Sequence, residues 1–166
     1  PELSESRYFS VIEKKTAKLF EAACQLGAVL AGRPDLEHPM AVFGRELGTA
    51  FQVTDDVLDY TASALTLGKN TGDDLAEGKA TLPLILCRSL VAAEKRELVD
   101  ESIRQGDSSR LAQISDLIRE SGALEASVQM GAEHAQEALR ALAPVPESAW
   151  KSAMSTLAQY SVSRQH

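Results

Sequence analysis

Apolar residues recur every three or four positions along most of this chain, which is the spacing of one face of a helix. The first periodic segment covers residues 4–31 and the second covers residues 40–65, with a short loop predicted between them at residues 32–39. Alanine (24) and leucine (21) outnumber valine (10) and isoleucine (5), a bias toward helix formers over strand formers. The sequence therefore predicts an all-α fold.

One glycine-punctuated stretch, residues 67–81, breaks this pattern and is predicted to be non-helical. A helix is expected directly after it, because Thr81 offers a capping hydroxyl and Pro83 is tolerated in a first helical turn. The remaining chain is predicted to form four amphipathic helices, at residues 94–105, 108–120, 123–142 and 147–163. The 166 residues amount to one domain.

Charge and cysteine content exclude several classes of protein. The net charge of −7 disfavours a general nucleic-acid surface, since phosphate backbones require a basic face. Cys24 and Cys87 stand far apart without metal-ligand spacing, so neither a disulfide framework nor a zinc ribbon is predicted, and a reducing, cytoplasmic setting is expected. The chain has no apolar run of about 18 residues, so no membrane span is predicted.

An acidic motif lies in the second periodic segment, where residues 51–59 read FQVTDDVLD. Asp55 and Asp59 are four positions apart and share one helix face, with Gln52 one turn earlier and Asp56 beside them. Like charges at this spacing repel, and a divalent cation would remove that cost. Mg²⁺ is commonly held by one or two carboxylates together with waters and substrate phosphates. A solvated acidic face is the alternative interpretation of the motif alone.

Two lysines, Lys69 and Lys79, follow this motif within the glycine-punctuated stretch. Carboxylates and ammonium groups together suit a ligand made of a metal ion and a diphosphate, because the ammonium groups bind the anionic oxygens that the metal leaves free. Neither an EF-hand nor a P-loop is predicted. Asp73 and Asp74 lack the EF-hand order, and Gly68-Lys69 lacks the earlier P-loop glycine.

Lys15 and Thr16 lie on the first predicted helix, where Lys15 shares a side with Ile12 and Leu19. One interpretation is that the Lys15 ammonium reaches past the edge of the apolar stripe to solvent. The other is that Lys15 and the Thr16 hydroxyl donate to phosphate oxygens in the same cavity as Asp55.

These motifs together resemble the trans-polyprenyl diphosphate synthases, head-to-tail prenyltransferases of the class I isoprenoid synthase fold. The family's K-T pair appears as Lys15-Thr16, its F-Q-x-x-D-D-x-L-D motif as residues 51–59, and its G-K-x-x-G-x-D-L-x-E-G-K-x-T-L-P motif as residues 68–83. The order of the three motifs is that of the family, and the resemblance covers about residues 3–90. It implies an antiparallel helical bundle and a homodimer.

The resemblance also implies a reaction and a set of site residues. An allylic prenyl diphosphate would condense with isopentenyl diphosphate, and the product would be a long chain of the kind found on quinones. Phe51 would line a dry, apolar cavity, and Arg164 would reach back over the diphosphate. The implied Mg²⁺ ligands are Asp55, Asp56 and Asp59, the implied catalytic residues are these three with Lys69 and Lys79, and the implied substrate-binding residues are Lys15, Thr16, Phe51, Gln52, Lys69 and Lys79.

One departure from the family pattern is large. The family carries a first aspartate-rich motif, followed by arginines, in its N-terminal half, and this chain has no second DDxxD and no Arg-Arg pair. Residues 1–166 are therefore expected to be the C-terminal part of one polyprenyl synthase domain, inactive alone. A non-catalytic regulatory subunit of a heteromeric synthase and a helical interaction module remain alternatives, and the exact number of isoprene units in the product is not predicted.

Overall fold

The computed structural model describes residues 3–61, 72–106 and 108–164, and every long regular element within these ranges is a helix. This confirms the all-α prediction. In chain order the α-helices are α1 (Glu5–Ile12), α2 (Lys18–Leu30), α3 (Pro34–Thr61), α4 (Asp73–Ala76), α5 (Leu82–Leu90), α6 (Ala93–Gln105), α7 (Leu111–Glu120), α8 (Ala123–Ala141) and α9 (Ala149–Ser163).

The first predicted helix forms as expected but contains a wider turn. A π-helical turn, Glu13–Ala17, joins α1 to α2 without a break in the chain's helical course. A π turn places about one extra residue in the helical ladder, and such turns are frequent at functional sites. It contains both Lys15 and Thr16, the two residues singled out in this segment.

The second predicted helix begins earlier than its apolar pattern suggested. Helix α3 starts at Pro34, so the prediction of a loop over residues 34–39 is wrong. Pro34 fits a first turn because its missing N–H would have no helical partner there, and Asp35 and Glu37 favour the positive end of the helix dipole. Pro39 is accommodated in the second turn at the loss of one backbone hydrogen bond. The predicted end of this helix, at residue 65, lies outside the described residues.

A short helix, α4, interrupts the stretch that was predicted to be non-helical, so that prediction is wrong over Asp73–Ala76. Gly72 precedes α4 with φ of +85°, a left-handed conformation that glycine adopts without strain. A side chain there would also meet the Leu111 side chain, whose nearest atom lies 2.4 Å from an ideal Cβ position. Residues 67–71 lie outside the described part of the chain.

The later helices agree with the predicted segments to within three residues at each end. A short 3₁₀ turn, Ser108–Arg110, precedes α7. Thr81 occupies the position before α5, but its side chain does not cap the helix; its hydroxyl bonds to the Tyr60 hydroxyl at 3.3 Å instead. Ser148 does cap α9, accepting from the Lys151 amide. No helix of the described ranges is long and apolar enough to cross a lipid bilayer.

The chain divides into two compact units. Unit 1 combines the segment that ends at Tyr8 with Asp55–Gln129, and unit 2 combines Phe9–Thr54 with the segment that begins at Met130. Helices α1, α3 and α8 contribute residues to both units. In unit 1, the largest fully buried side chains come from α4 to α7, among them Leu75, Leu82, Leu84, Val99, Ile114 and Ile118.

The core of unit 2 is built from α3, α8 and α9, with Phe20 and Cys24 of α2 packed against it. Its buried members are Phe43, Leu47, Ala138, Ala158 and Leu142, which directly follows α8. Helix α2 approaches α3 closely because Gly44 and Gly48 present no side chain at the crossing. An ideal Cβ on Gly44 would lie 2.3 Å from the backbone oxygen of Phe20.

Candidate functional site

The three aspartates of the acidic motif occupy different environments on α3. Asp55 is exposed, Asp56 is only 4% exposed and Asp59 is half-buried. In the described part of the chain, the Asp55 carboxylate takes part in no hydrogen bond or ion pair. Asp55 therefore offers an oxygen donor to an external ligand.

Asp56 is held by a tyrosine from a distant part of the sequence. The Tyr8 hydroxyl on α1 donates to the Asp56 Oδ2 atom across 2.5 Å, and both residues are buried in unit 1. Burial raises the pKa of Tyr8 far above its ordinary value, and the Asp56 carboxylate raises it further. The hydroxyl therefore keeps its proton and remains a donor.

Asp59 anchors the turn before α4. Its Oδ1 atom accepts from the Gly72 amide at 3.0 Å, and its Oδ2 atom accepts from the Asp74 amide at 3.1 Å. Burial raises the pKa of Asp59, and the nearby Asp74 charge adds to that rise, while the backbone donors act in the opposite direction. These two hydrogen bonds attach α3 to the segment that precedes Lys79.

Lys79 lies on the surface of unit 1 and faces two carboxylates. Its Nζ atom is 3.0 Å from Asp74 Oδ1 and 2.8 Å from Glu77 Oε2, and 46% of its side chain is exposed. Hydrogen bonds to Glu77 and Asp74 raise the pKa of Lys79, so the ammonium stays charged. A phosphate would have to exchange with these carboxylates to reach it. The other predicted lysine, Lys69, lies outside the described residues.

Thr16 and Gln52 meet within unit 2. The Thr16 hydroxyl donates to Gln52 Oε1 at 2.9 Å, which joins the π turn to α3. This bond orients the Gln52 amide, leaving its NH₂ group directed away from the threonine. Lys15, the preceding residue, is exposed. The structure thus brings together two of the predicted substrate-binding residues.

Phe51 is half-buried between an aromatic ring and a guanidinium group. Its ring centroid lies 5.8 Å from that of Phe20, and the Arg164 guanidinium carbon lies 4.3 Å above the ring. Arg164 also donates to the Phe51 carbonyl oxygen at 3.4 Å. The chain end is thereby attached to α3 in unit 2, and the positive charge of Arg164 lies at Phe51.

Asp55 suits a Mg²⁺ ion whose remaining ligands come from outside the acidic motif. In the ranges that the structure describes, no cluster of three or more His, Cys, Asp or Glu side chains forms a complete metal cage. An exposed carboxylate at Asp55 is the hard oxygen donor that Mg²⁺ requires, and Mg²⁺ commonly takes its remaining ligands from water and phosphate. Asp55 therefore fits a Mg²⁺ ion that is shared with a phosphate ligand rather than one that is held by protein ligands alone.

Sequence reasoning did not single out Tyr8, and gave Asp74 no definite role. Tyr8 meets Asp56 across 48 positions, and no periodic pattern signals a contact of that range. Asp74 contacts Lys79 through its side chain and Asp59 through its amide, which places it at the centre of this network. The sequence feature that could have pointed to Asp74 is its position in the motif at residues 68–83.

Comparison with known proteins identifies relatives along the whole chain. The family model "Polyprenyl synthetase" matches residues 1–120. The octaprenyl diphosphate synthase of Haemophilus influenzae is 44% identical over 168 residues, covering 100% of this chain and 51% of that protein. The all-trans-nonaprenyl-diphosphate synthase (geranyl-diphosphate specific) of Rhodobacter capsulatus is 42% identical over 164 residues, covering 99% of this chain and 50% of that protein.

A solved structure shares the fold. The polyprenyl synthase of Caulobacter crescentus, crystallised with calcium and isoprenyl diphosphate, superposes with a TM-score of 0.91 at 40% identity, covering 99% of this chain and 52% of that one. The chain spans about half the length of the curated relatives it matches. The family model, these relatives and the shared helical bundle confirm the resemblance drawn from the three motifs: the chain belongs to the polyprenyl synthetase family.

Proposed function

We propose that this chain serves a polyprenyl diphosphate synthase, which lengthens an allylic prenyl diphosphate by head-to-tail condensation with isopentenyl diphosphate. The observation that carries the proposal is the exposed Asp55 carboxylate on a helix segment fixed by Tyr8 at Asp56 and by the α4 turn at Asp59. The names of the relatives, octaprenyl and nonaprenyl diphosphate synthases, support the reaction class and a long-chain product.

The proposed reaction transfers an allylic group. The allylic C–O bond breaks and diphosphate leaves with the electron pair, the double bond of isopentenyl diphosphate forms the new C–C bond, and loss of a proton restores a double bond. Mg²⁺ would neutralise the diphosphate and stabilise it as a leaving group. The calcium and isoprenyl diphosphate in the Caulobacter crescentus structure support a divalent ion and a diphosphate as ligands of this family's fold.

In unit 1, Asp55 would hold Mg²⁺ through its exposed oxygens, with Asp59 four positions later on the same helix. The roles of Asp56 and Asp59 as direct metal ligands remain predictions, since Asp56 is buried against Tyr8 and both Asp59 oxygens accept backbone amides. Lys79 would bind phosphate oxygens by exchanging its carboxylate partners. Lys69, which lies outside the described residues, would also bind phosphate oxygens.

In unit 2, Lys15 and Thr16 would bind phosphate oxygens and the Gln52 amide would order the surrounding ligand shell. The exposed position of Lys15 supports its role. Thr16 would have to turn its hydroxyl proton from Gln52 Oε1 to the phosphate, because a hydroxyl group has one proton to donate. Phe51, whose ring packs at a tilt against that of Phe20, would supply apolar lining, since a reactive allylic cation requires the exclusion of water.

Lys79→Ala is expected to weaken binding of an unreactive allylic diphosphate analogue about tenfold in the presence of Mg²⁺, because a charge-assisted hydrogen bond to phosphate is lost. Binding of isopentenyl diphosphate is expected to change much less. Titration calorimetry measures both affinities, with Lys95→Ala as the control because Lys95 is an exposed lysine of the same unit. An equal loss for both diphosphates would place Lys79 outside the allylic site.

We also propose that two copies of the chain pair through α2. Leu19, Leu26 and Leu30 fall on one face of that helix and are 74%, 54% and 80% exposed, so an apolar stripe of unit 2 faces solvent. The resemblance implies a homodimer, and a second copy would cover this stripe. We expect a dimer by analytical ultracentrifugation and a monomer for Leu26→Glu. A monomeric wild-type chain would contradict this pairing.

A further inference from the structure

The hydrogen bond between Tyr8 and Asp56 stands out among the side-chain contacts of the acidic motif. Both residues are about 95% buried, and the two oxygens lie 2.5 Å apart. A buried carboxylate without a donor is costly, so the tyrosine hydroxyl satisfies a group that the fold has removed from water. Tyr8 lies on α1 and Asp56 on α3, and both belong to unit 1.

The hydrogen bond from Tyr8 to Asp56 can also restrict the orientation of the neighbouring Asp55. The two aspartates are adjacent on α3, where one points into the interior and the other points to solvent. Fixing the buried carboxylate fixes the rotation of this helical turn, and therefore the direction in which the Asp55 side chain leaves the helix. A second constraint, the two backbone amides on Asp59, lies one turn later.

We propose that Tyr8 is a positioning residue, whose hydroxyl holds Asp56 so that the Asp55 carboxylate is presented to a metal-bound diphosphate. This inference rests on the proposed function for its ligand, and on the observed hydrogen bond for its geometry. Tyr8 is assigned no contact with the ligand. Tyr8 would act on ligand binding by fixing the turn of α3 that contains residues 55–59.

The test compares two variants that each remove one buried tyrosine hydroxyl. Tyr8→Phe keeps the ring and deletes the donor to Asp56. Tyr60→Phe is the matched control, because Tyr60 is equally buried, belongs to α3, and bonds to the Thr81 hydroxyl rather than to an aspartate. Both variants are expected to fold, which circular dichroism and thermal melting establish.

Two readouts are measured on the 166-residue chain. The first is amide hydrogen exchange over residues 53–61, which we expect to accelerate roughly fivefold in Tyr8→Phe and to stay near wild type in Tyr60→Phe. The second is Mg²⁺-dependent binding of inorganic pyrophosphate, which we expect to weaken about tenfold in Tyr8→Phe alone.

The outcomes separate this inference from the proposed function. Unchanged exchange in Tyr8→Phe, unchanged pyrophosphate affinity beside intact wild-type binding, or equal effects in Tyr60→Phe would each overturn the positioning role. Absence of Mg²⁺-dependent pyrophosphate binding in the wild-type chain would count against the proposed function instead, and the exchange measurement would still decide whether Tyr8 fixes the aspartate turn.

Discussion

Asp55→Ala is expected to reduce Mg²⁺-dependent pyrophosphate binding by about a hundredfold or more while the helices remain folded. The reason is that Asp55 is exposed and takes part in no hydrogen bond or ion pair in the described structure, so its removal takes an oxygen donor from the ligand without leaving a buried group unsatisfied. Equilibrium dialysis with labelled pyrophosphate, with and without Mg²⁺, measures the change. Circular dichroism monitors the fold.

The control for this prediction is Asp116→Ala. Asp116 is an exposed aspartate of α7 whose partner is Arg119 on the same helix, so its loss changes the net charge by the same amount. Binding by Asp116→Ala should equal that of the wild type. If Asp55→Ala binds pyrophosphate as the wild type does, the metal assignment is wrong. If both variants lose affinity equally, the loss follows from general charge and the metal assignment is again wrong.

Gly44→Ala is expected to lower the free energy of unfolding by about 2–3 kcal/mol. The added methyl group would lie 2.3 Å from the Phe20 carbonyl oxygen and 2.8 Å from the Glu21 Cα, and both are backbone atoms that cannot rotate away. Helices α2 and α3 would have to separate, which would loosen the packing of Phe20 against the unit 2 core. Denaturation in urea measures the loss.

Gly27→Ala provides the matched comparison for this substitution. Gly27 is also a helical glycine, on α2, but an added methyl group would have nothing within 4 Å. It should raise stability by about 0.5–1 kcal/mol, the ordinary helix advantage of alanine over glycine. Equal stability changes in the two variants would contradict the close helix crossing at Gly44.

The parts of the fold that depend on local periodicity could be predicted from the sequence. The apolar spacing placed α2 and the body of α3, and the i,i+4 relation of Asp55 and Asp59 follows from the helix itself. The start of α3 was missed because Pro34 and Pro39 were interpreted as loop residues, whereas the first can begin a helix and the second is accommodated one turn later.

The environments of the site residues could not be predicted, because they depend on contacts between distant segments. Asp56 lies on the buried face of α3, one turn before Tyr60, whereas Asp55 is exposed. Nothing in the motif identifies the partner of Asp56, because Tyr8 lies 48 positions away in the sequence. In the same way, the capture of two backbone amides by Asp59 requires the left-handed turn at Gly72. The residue types predict a site for a metal ion and a diphosphate, while the tertiary contacts determine which carboxylate oxygens are available to a ligand.

We expect this chain to bind a diphosphate through a Mg²⁺ ion at Asp55. The most direct test is a calorimetric titration of the wild-type chain with an unreactive allylic diphosphate analogue, performed with Mg²⁺ and again with EDTA. We expect saturable binding with Mg²⁺ and none with EDTA. Identical heats in the two titrations of a folded sample, or no binding in either, would contradict the account.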